Sequence, residues 1–296
     1  MDRYPGIAAF YAFMLERHNI YERKKSGQPY PWTDDEILKK YKFCNVFREL
    51  DTGTVWCREH IREPFANDPE LFFNIAAYRS INCLETWAEV YDMEQHWTGV
   101  PFISDYNSGR TNLAMKSRRK RGERIFTNAH MLTGVGSVDK IDMYTDMCWK
   151  HLWEHRRELE PQVGDTLHKA FERLIAGKIP AVGKFIAYEI ITDLRHTRYL
   201  NSAYDIYTWA NPGNGAVRGA ERVMGCYVHG MVRNWERGFI CDYMKALLDV
   251  SRDYLPGEFP KLEMRDIEHT LCEFDKYERA RLGQGAPRMH YVPKKG

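Results

Sequence analysis

The feature that most constrains the fold of this chain is a helical apolar pattern that stops at one turn and then resumes. Residues 174–195 read LIAGKIPAVGKFIAYEIITDLR, and apolar side chains recur at three- and four-residue intervals on both sides of GKIPAVG. Because glycine and proline interrupt helices, the pattern predicts two helices joined by a tight turn. Such a hairpin is either plain scaffolding or a turn that offers backbone N–H groups to a nucleic-acid phosphate.

Helical periodicity also dominates the rest of the chain, and alternating strand patterns are rare and short. The best strand candidate is 204–209. Thr33 is predicted to cap a helix with acidic residues in its first turn, and Asp68-Pro69-Glu70 to start a helix that continues to residue 90. Further helices are predicted over about 139–159, 164–177, 184–195, 218–225, 229–249 and 265–275.

These patterns predict a mostly α fold. With 296 residues, of which 44% are hydrophobic, the chain can bury the core of one large domain. We expect a single domain over 1–296, made of two closely packed helical subdomains. One of them bears the hairpin and spans about 139–225, and the N- and C-terminal segments supply the remainder.

Composition excludes several classes of protein. The net charge of +2 means that any affinity for nucleic acid must come from local clusters of Lys and Arg. No apolar run reaches the roughly 18 residues of a membrane span, so no membrane partner is expected. The seven cysteines are dispersed without a C-x-x-C pair, which is typical of reduced thiols and argues against a disulfide frame or a zinc ribbon.

A basic segment at 104–128 is predicted to be a long loop. It is either a flexible, solvated loop or an arm that contacts DNA phosphates, because clustered cations supply the sequence-independent part of DNA affinity. The candidate DNA-binding residues in it are Lys116, Arg118, Arg119 and Arg121.

A second predicted loop, 208–223, contains the turn Pro212-Gly213-Asn214-Gly215 ahead of a helix with Arg218. The two glycines of this turn tolerate positive φ and close approach of the backbone. A glycine turn before a helix N-terminus is suited to bind an anion. The spacing fits neither a P-loop nor a dinucleotide-binding turn.

His151-Leu152-Trp153-Glu154-His155 has the spacing of a zinc-peptidase motif, which places both imidazoles on one helix face. Its flanks are those of an ordinary amphipathic helix, and patterns this loose arise by chance. We therefore predict no metal ligands in the chain.

The IPAVGKF turn resembles the helix-hairpin-helix of DNA glycosylases, whose pattern is L-P-G-V-G-x-x-T-A. Ala181 replaces the first glycine of that pattern, whereas five positions match: Ile179, Pro180, Val182, Gly183 and Ala187. The resemblance implies that Gly183 and Lys184 contact DNA and that Asp205 supports the chemistry. Phe185 stands where bifunctional glycosylases keep a Schiff-base lysine, which argues against lyase chemistry.

A longer, collinear resemblance covers nearly the whole chain. It includes 13–51 (FMLERHNIYERKKSGQPYPWTDDEILKKYKFCNVFRELD), ERIFTNAHMLTG at 123–134, the hairpin, NPGNGAVRG at 211–219, and LCEFDKYERARLGQGAPRMHY at 271–291. These segments resemble the helical family of bacteriophage thymine-hypermodification systems. Its members were named α-glutamyl/putrescinyl-thymine pyrophosphorylases and amino acid:DNA transferases, and the module is also joined to 5-hydroxymethyluracil DNA kinases. The chain itself has no Walker A sequence.

The resemblance implies a DNA-modifying transferase with a glycosylase-like helix-hairpin-helix fold. Its substrates would be double-stranded DNA with a pyrophosphorylated 5-hydroxymethyluracil and a free amino acid such as glycine, whose amine replaces the pyrophosphate. The base must leave the stack to expose its methylene carbon. The protein would work in the cytoplasm of the infected bacterial host cell, with a DNA kinase as a candidate partner.

The resemblance also assigns residues to these tasks. An amine attacks only when it is neutral, so a carboxylate base is required, and the candidates are Asp205, Glu49 and Asp51. The pyrophosphate is assigned to Arg48, Arg218 and the turn with Gly213 and Gly215, because guanidinium forks match phosphate oxygens. The carboxylate of the amino acid is assigned to Arg279 or Lys276, and Asn45 is a further candidate for substrate binding. No organic cofactor is expected. A divalent ion on the pyrophosphate suits the chemistry, but no cluster of residues demands one.

Two alternatives stay open at this point. A monofunctional base-excision glycosylase would produce abasic sites, and the substitution Asp205→Asn would abolish them. A non-catalytic DNA-binding partner of a 5-hydroxymethyluracil DNA kinase would bind DNA in a salt-sensitive way without turnover.

Overall fold

Helices are the regular elements of the computed structural model, which describes residues 5–127, 138–231 and 233–292. The predicted mostly α fold is confirmed for these residues. The strand predicted at 204–209 is wrong: its residues form a turn in which the N–H groups of Thr208 and Trp209 both donate to the Asp205 carbonyl (3.0 and 2.8 Å). Of the matched segment 123–134, residues 128–134 lie outside the described ranges.

The helices are numbered in chain order. They are α1 (Ile7–Lys25), α2 (Glu36–Lys40), α3 (Thr52–Cys57), α4 (Leu71–Ile81), α5 (Leu84–Thr98), α6 (Ser108–Lys120), α7 (Lys140–Asp142), α8 (Lys150–Glu154), α9 (Arg156–Leu159), α10 (Leu167–Ala176), α11 (Lys184–Leu194), α12 (Asn214–Met224), α13 (Arg237–Tyr254) and α14 (Met264–Arg281). A 3₁₀ turn at Arg48–Leu50 and π-helical segments at Arg58–Arg62 and Met143–Trp149 complete the set. Not one of these described helices is both long and apolar enough to cross a bilayer.

The chain divides into two units. Met1–Asp51 and Asp205–Gly296 form one, which we call the split unit, and Thr52–Tyr204 form the other, the central unit. The hairpin-bearing subdomain predicted at 139–225 therefore includes residues of both units, because its last 21 positions, 205–225, belong to the split unit.

In the split unit, α12 packs against α14 with very little space between the two backbones. A Cβ atom added at Gly219 would overlap the Leu271 carbonyl, and one added at Gly215 would overlap the Cys272 sulfur. Of the two properties that glycine offers in the 212–215 turn, positive φ is not used, because Gly213 has φ −75° and Gly215 lies inside α12, whereas close approach is used at Gly215. The glycine at 215 is therefore needed for helix packing, as is Gly219.

Several helix boundaries in the split unit differ from the predicted ones. The α2 cap is Asp35 and not Thr33, because the Asp35 carboxylate accepts from the N–H groups of Ile37 and Leu38 (2.8 and 2.9 Å). Helix α12 begins before the predicted 218, α13 begins after the predicted 229, and α14 runs beyond the predicted 275.

In the central unit, α4 is buried along its whole length, and its polar residues Asn74, Arg79 and Ser80 form hydrogen bonds inside the protein. The predicted continuous helix to residue 90 is wrong, because Asn82 adopts a left-handed conformation (φ 43°) and ends α4 before α5 starts. The predicted helix over 139–159 is likewise divided, since Met143–Trp149 is π-helical and His155 separates α8 from α9.

The hairpin has the predicted two helices, α10 and α11, and a tight turn between them. The turn closes with a hydrogen bond from the Val182 N–H to the Ile179 carbonyl (3.1 Å). Ala181 has φ 63°, so it adopts the left-handed conformation that favours glycine at the position where the glycosylase pattern has one. The helix-turn-helix is thereby confirmed, and the glycosylase-like fold stays a prediction.

Candidate functional site

One face of α14 carries a row of ionisable side chains. A capping box fixes the start of this helix, because the Asp266 carboxylate accepts from the Glu263 N–H (2.8 Å) and the Glu263 side chain accepts from the backbone N–H of Asp266. Spacings of three and four residues then align the groups on neighbouring turns. The members of the row are Arg265, Glu268, His269, Glu273, Asp275, Lys276 and Arg279.

The 45–51 segment forms a connected network that includes three predicted site residues. Asp51 Oδ1 accepts from the backbone N–H and the Nδ2 of Asn45 (2.9 and 3.0 Å), and Asp51 Oδ2 lies 3.7 Å from Arg48 Nη1. Arg17, which the sequence analysis missed, donates from Nη2 to Asn45 Oδ1 (2.7 Å). Burial raises the pKa of Asp51, against the opposing charge of Arg48.

Glu273, on α14, binds Cys44, the residue directly before this segment. Its Oε2 accepts from the backbone N–H of Cys44 (3.0 Å), and its Oε1 forms an ion pair with Lys276 Nζ (2.5 Å). Burial by itself lowers the pKa of Lys276. The charge of the Glu273 carboxylate and its hydrogen bond act in the opposite direction, and the pKa of Lys276 lies above its usual value. Lys276, predicted to bind the amino acid, is therefore a charged group held beside the 44–51 segment.

The start of α12 meets α14 through Glu268. The Gly213 N–H, assigned above to an anion, donates to Glu268 Oε1 (3.1 Å), so a carboxylate of the protein itself occupies this helix N-terminus. Burial raises the pKa of Glu268 to about 7, although the Gly213 N–H and the charge of Arg48 act in the opposite direction. Sequence reasoning missed Glu268, because only the packing of α12 on α14 brings it to Gly213.

Asp275 gathers three arginines, and we call this set the arginine cluster. Arg218 Nε and Arg222 Nε each donate to the fully buried Asp275 carboxylate (2.9 Å in both cases), and Arg279 Nε lies 3.3 Å from it. Arg218 and Arg279 were assigned to different ligands, yet they share one carboxylate. Asp275 was missed, although its position one turn before Arg279 was a signal.

The other two candidate bases lie in local turns of the split unit. Asp205 is buried, and its carbonyl organises the 205–209 turn. Glu49 lies in the 3₁₀ turn. Burial raises the pKa of Asp266 to about 7, and the negative charge of Glu49 contributes to that shift.

The basic segment of the central unit is not a loop, since Asn107 caps α6 and the helix runs to Lys120. Each predicted DNA-binding cation on it has a carboxylate partner, at distances of 2.5–3.3 Å: Lys116 with Asp142, Arg118 with Glu89, Arg119 with Asp139 and Arg121 with Glu89. These ion pairs fix the segment on the unit's own surface, and its role in DNA binding stays a prediction.

The hairpin turn is open on one side. A side chain added at Gly183 would meet no atom within 4 Å, and Lys184 is exposed. Because Gly183 precedes the first turn of α11, a phosphate has room to approach its N–H groups. Contact with DNA through Gly183 and Lys184 remains a prediction.

The zinc-peptidase motif is part of the scaffold. His151 Nε2 lies 3.0 Å from the Gly177 carbonyl oxygen, and His155 Nδ1 lies 3.3 Å from Glu158 Oε2. The two imidazoles thus connect α8 to the end of α10 and to α9. This arrangement favours the reading of the motif as an ordinary helix.

A different group of residues could hold a metal ion. The sulfur of Cys44, a ring nitrogen of His269 and a carboxylate oxygen of Glu273 all lie within 4.8 Å of one another. Burial raises the pKa of the Cys44 thiol and lowers that of His269 well below its usual value. Sequence reasoning missed this group because 229 positions separate Cys44 from Glu273.

Comparison with known proteins identifies the family. The sequence model described as "5-hmdU DNA kinase, helical domain" matches residues 5–286. A 5-hmdU DNA kinase of Bacillus phage SP10 is 26% identical in an alignment of 297 positions, gaps included, that covers 90% of this chain and 44% of the relative. The chain thus spans less than half the length of that relative. No solved structure gives a significant match. Because the match to the family extends over nearly the whole chain, the protein belongs to the family of 5-hmdU DNA kinase helical domains.

Proposed function

We propose that this protein takes part in phage thymine modification as an amino acid:DNA transferase. It would replace the pyrophosphate of 5-pyrophosphoryloxymethyl-uracil in DNA with the amine of a free amino acid. Family membership supports the pathway, because the phage SP10 relative is named for 5-hmdU in DNA. The observation that carries the transferase proposal is that Cys44, directly before the 45–51 segment, and Gly213 and Arg218, at the start of α12, all contact carboxylates on one face of α14.

The reaction breaks the bond between the methylene carbon and the pyrophosphate oxygen and forms a bond from that carbon to the amine nitrogen. The amine loses one proton, which a carboxylate must accept. Asp51 suits this role best among the three predicted bases. Asn45 holds its Oδ1 through two hydrogen bonds, and burial raises its pKa towards the working range of a base.

Positive charge for the leaving group comes from the arginine cluster. Three guanidinium groups share the single carboxylate of Asp275, so within this set the positive charge exceeds the negative. The side chains of Arg218 and Arg279 keep 39% and 30% of their exposure, which leaves donors for an entering anion. Guanidinium forks bind phosphate oxygens in pairs, so the cluster supports a pyrophosphate site.

Lys276 and Arg48 supply further positive charge, Lys276 beside Glu273 and Arg48 beside Asp51. Their side chains keep 30% and 14% exposure. The carboxylate of an amino acid bound by Arg48 would bring its amine near Asp51. This arrangement supports an amino acid as the second substrate.

The test uses DNA that carries 5-pyrophosphoryloxymethyl-uracil together with a mixture of amino acids that includes glycine. We expect a new nucleoside in mass spectrometry, with one pyrophosphate released for each. Asp51→Asn should slow the reaction at least about a hundredfold, as loss of a general base does. Asp139→Asn, a carboxylate change on the central unit, is the matched control. Unchanged nucleosides with the wild-type protein would refute the transferase.

A second candidate is a non-catalytic module that presents DNA to a kinase. The ratio of chain lengths favours this second candidate, because the chain corresponds to 44% of the length of a relative that is named a kinase. This candidate predicts DNA binding that weakens with salt, no change of any nucleoside, and the same DNA affinity in Asp51→Asn. The nucleoside assay therefore separates the two proposals.

A further inference from the structure

Cys44, His269 and Glu273 bring three different donor types together in the split unit. Their donor atoms lie within 4.8 Å of one another, although the residues come from the 42–51 segment and from two successive turns of α14. As whole residues, Cys44 and His269 are half-buried and Glu273 is buried, so the group is lined by protein.

His269 offers a nitrogen that the described residues leave unused. Its Nε2 is buried and accepts or donates no hydrogen bond within residues 5–127, 138–231 and 233–292. A buried polar atom without a partner costs about 1–3 kcal/mol, so such atoms in a native protein have a reason. A ligand at the centre of the three donors would provide the missing partner.

The Glu273 carboxylate is held in place from both sides. The Cys44 N–H donates to its Oε2 at 3.0 Å, and Lys276 Nζ pairs with its Oε1 at 2.5 Å. Each carboxylate oxygen has two acceptor positions, so these contacts leave one on each oxygen. Hydrogen bonds of this kind orient metal-binding carboxylates in proteins, and the first of them also fixes the backbone of Cys44 beside the carboxylate.

We propose that Cys44, His269 and Glu273 form a binding site for one divalent metal ion of the zinc class. A sulfur, an imidazole nitrogen and a carboxylate oxygen are the donors that zinc binds, and oxygen-preferring magnesium or calcium would not select the first two. Donor atoms at about 2.0–2.3 Å from zinc lie roughly 3–4 Å apart. Side-chain rotations that move these donor atoms by about 1 Å would therefore close the site around the metal.

Charge balance is simple for this site. The metal displaces the thiol proton of Cys44 to solvent, so the ion is held by one thiolate, one carboxylate and one neutral imidazole. Three protein ligands leave the fourth tetrahedral position open, as in zinc sites that bind a water or a substrate. The ammonium group of Lys276, beside Glu273, favours an anionic oxygen ligand at that position.

The test measures metal binding and does not depend on any activity. The full chain is stripped with a chelator, dialysed against Zn²⁺ or Co²⁺, and its metal content is determined by mass spectrometry. We expect one equivalent of metal, and with Co²⁺ the visible bands of tetrahedral cobalt and a near-ultraviolet thiolate-to-cobalt band. Competition with a chromophoric chelator then gives the affinity.

Variants assign the ligands. Cys44→Ser should abolish the thiolate-to-cobalt band, and His269→Gln should weaken zinc binding at least tenfold. Cys226→Ser and His168→Gln change a thiol and an imidazole outside the group and should leave both signals intact. Substoichiometric metal in the wild-type chain would overturn the proposal, as would an unchanged cobalt spectrum in Cys44→Ser. Because the wild-type result alone can refute it, the proposal stays testable if a variant fails to fold, which circular dichroism would reveal.

Discussion

The two charged regions of this protein use the same side chains in opposite ways. On α6, in the central unit, Lys116 and Arg119 each pair with one carboxylate, and their side chains stay 37% and 48% exposed. In the arginine cluster, a carboxylate with no exposure serves three arginines. Exposed ion pairs are worth about 0–1 kcal/mol, whereas an unpaired buried charge costs several kcal/mol. Burial, and not charge content, separates the candidate site from the solvated surface.

The largest expected effect comes from removing the shared carboxylate. Asp275→Ala leaves Arg218, Arg222 and Arg279 without their common partner, and we expect a loss of about 3–5 kcal/mol in the free energy of unfolding. Urea unfolding followed by circular dichroism measures it. Asp139→Asn on the α6 side, which keeps an oxygen acceptor for the start of α7, should cost less than about 1 kcal/mol. Equal losses in the two variants would contradict the distinction between the regions.

Asp266, at the start of α14, and the carboxylates paired with α6 should respond to pH with opposite signs. Burial raises the pKa of Asp266 to about 7 in the folded protein, against about 4 in the unfolded chain. The native state therefore binds the extra proton, so this group's contribution to stability declines as pH rises from about 4 to 7, by up to a few kcal/mol. Hydrogen bonds from Arg119 and Lys116 lower the pKa values of Asp139 and Asp142, so their contribution is present above about pH 4 and is lost below it.

Unfolding midpoints in urea at pH 4.5 and 7.5 isolate the Asp266 contribution. When the pH rises from the lower to the higher of these values, we expect Asp266→Asn to lose less stability than the wild type. All other groups titrate in both proteins, so the difference comes from Asp266. The amide keeps an acceptor for the Glu263 N–H, so the start of α14 is preserved. Parallel pH curves for the two proteins would show that Asp266 titrates normally.

A moderate effect is expected where α12 meets α14. Gly219→Ala places a methyl group against the Leu271 carbonyl, and overpacking of this kind costs about 1–3 kcal/mol. Gly238→Ala, in the first turn of α13 with no atom within 4 Å, should be neutral or slightly stabilising. If Gly219→Ala proved as stable as Gly238→Ala, the close approach of the two helices would be wrong.

The smallest effect on stability is expected on α6. The double change of Lys116 and Arg119 to Gln should alter the free energy of unfolding by less than about 1 kcal/mol. If these cations contact DNA, the slope of log affinity against log salt should fall by about 2, because two phosphate contacts are lost. An unchanged slope in a filter-binding or anisotropy titration would remove these residues from the DNA-binding surface.

Local pattern was enough to predict the helices around residue 180 and the tight turn between them. It failed where one residue's backbone conformation determines the end of a helix, or where a partner distant in sequence determines the packing. Asn82 ends a helix that the apolar pattern continues, and the glycine at 215 lies inside α12, where it serves helix packing, and not in the predicted turn. The basic segment at 104–128 was read as a loop because its charges hid the helical spacing of α6.

The sequence alone determined the mostly α class, the hairpin, and the candidate residues Asn45, Arg48 and Asp51, because these depend on local spacing or on a collinear resemblance. Only the tertiary structure brought Glu268 to Gly213, Asp275 to three arginines, and Cys44 to His269 and Glu273. The physical reason is that α14 is an amphipathic helix whose polar side is buried. Which charges meet there depends on how α12 and the 42–51 segment pack on it, and no local pattern records that packing.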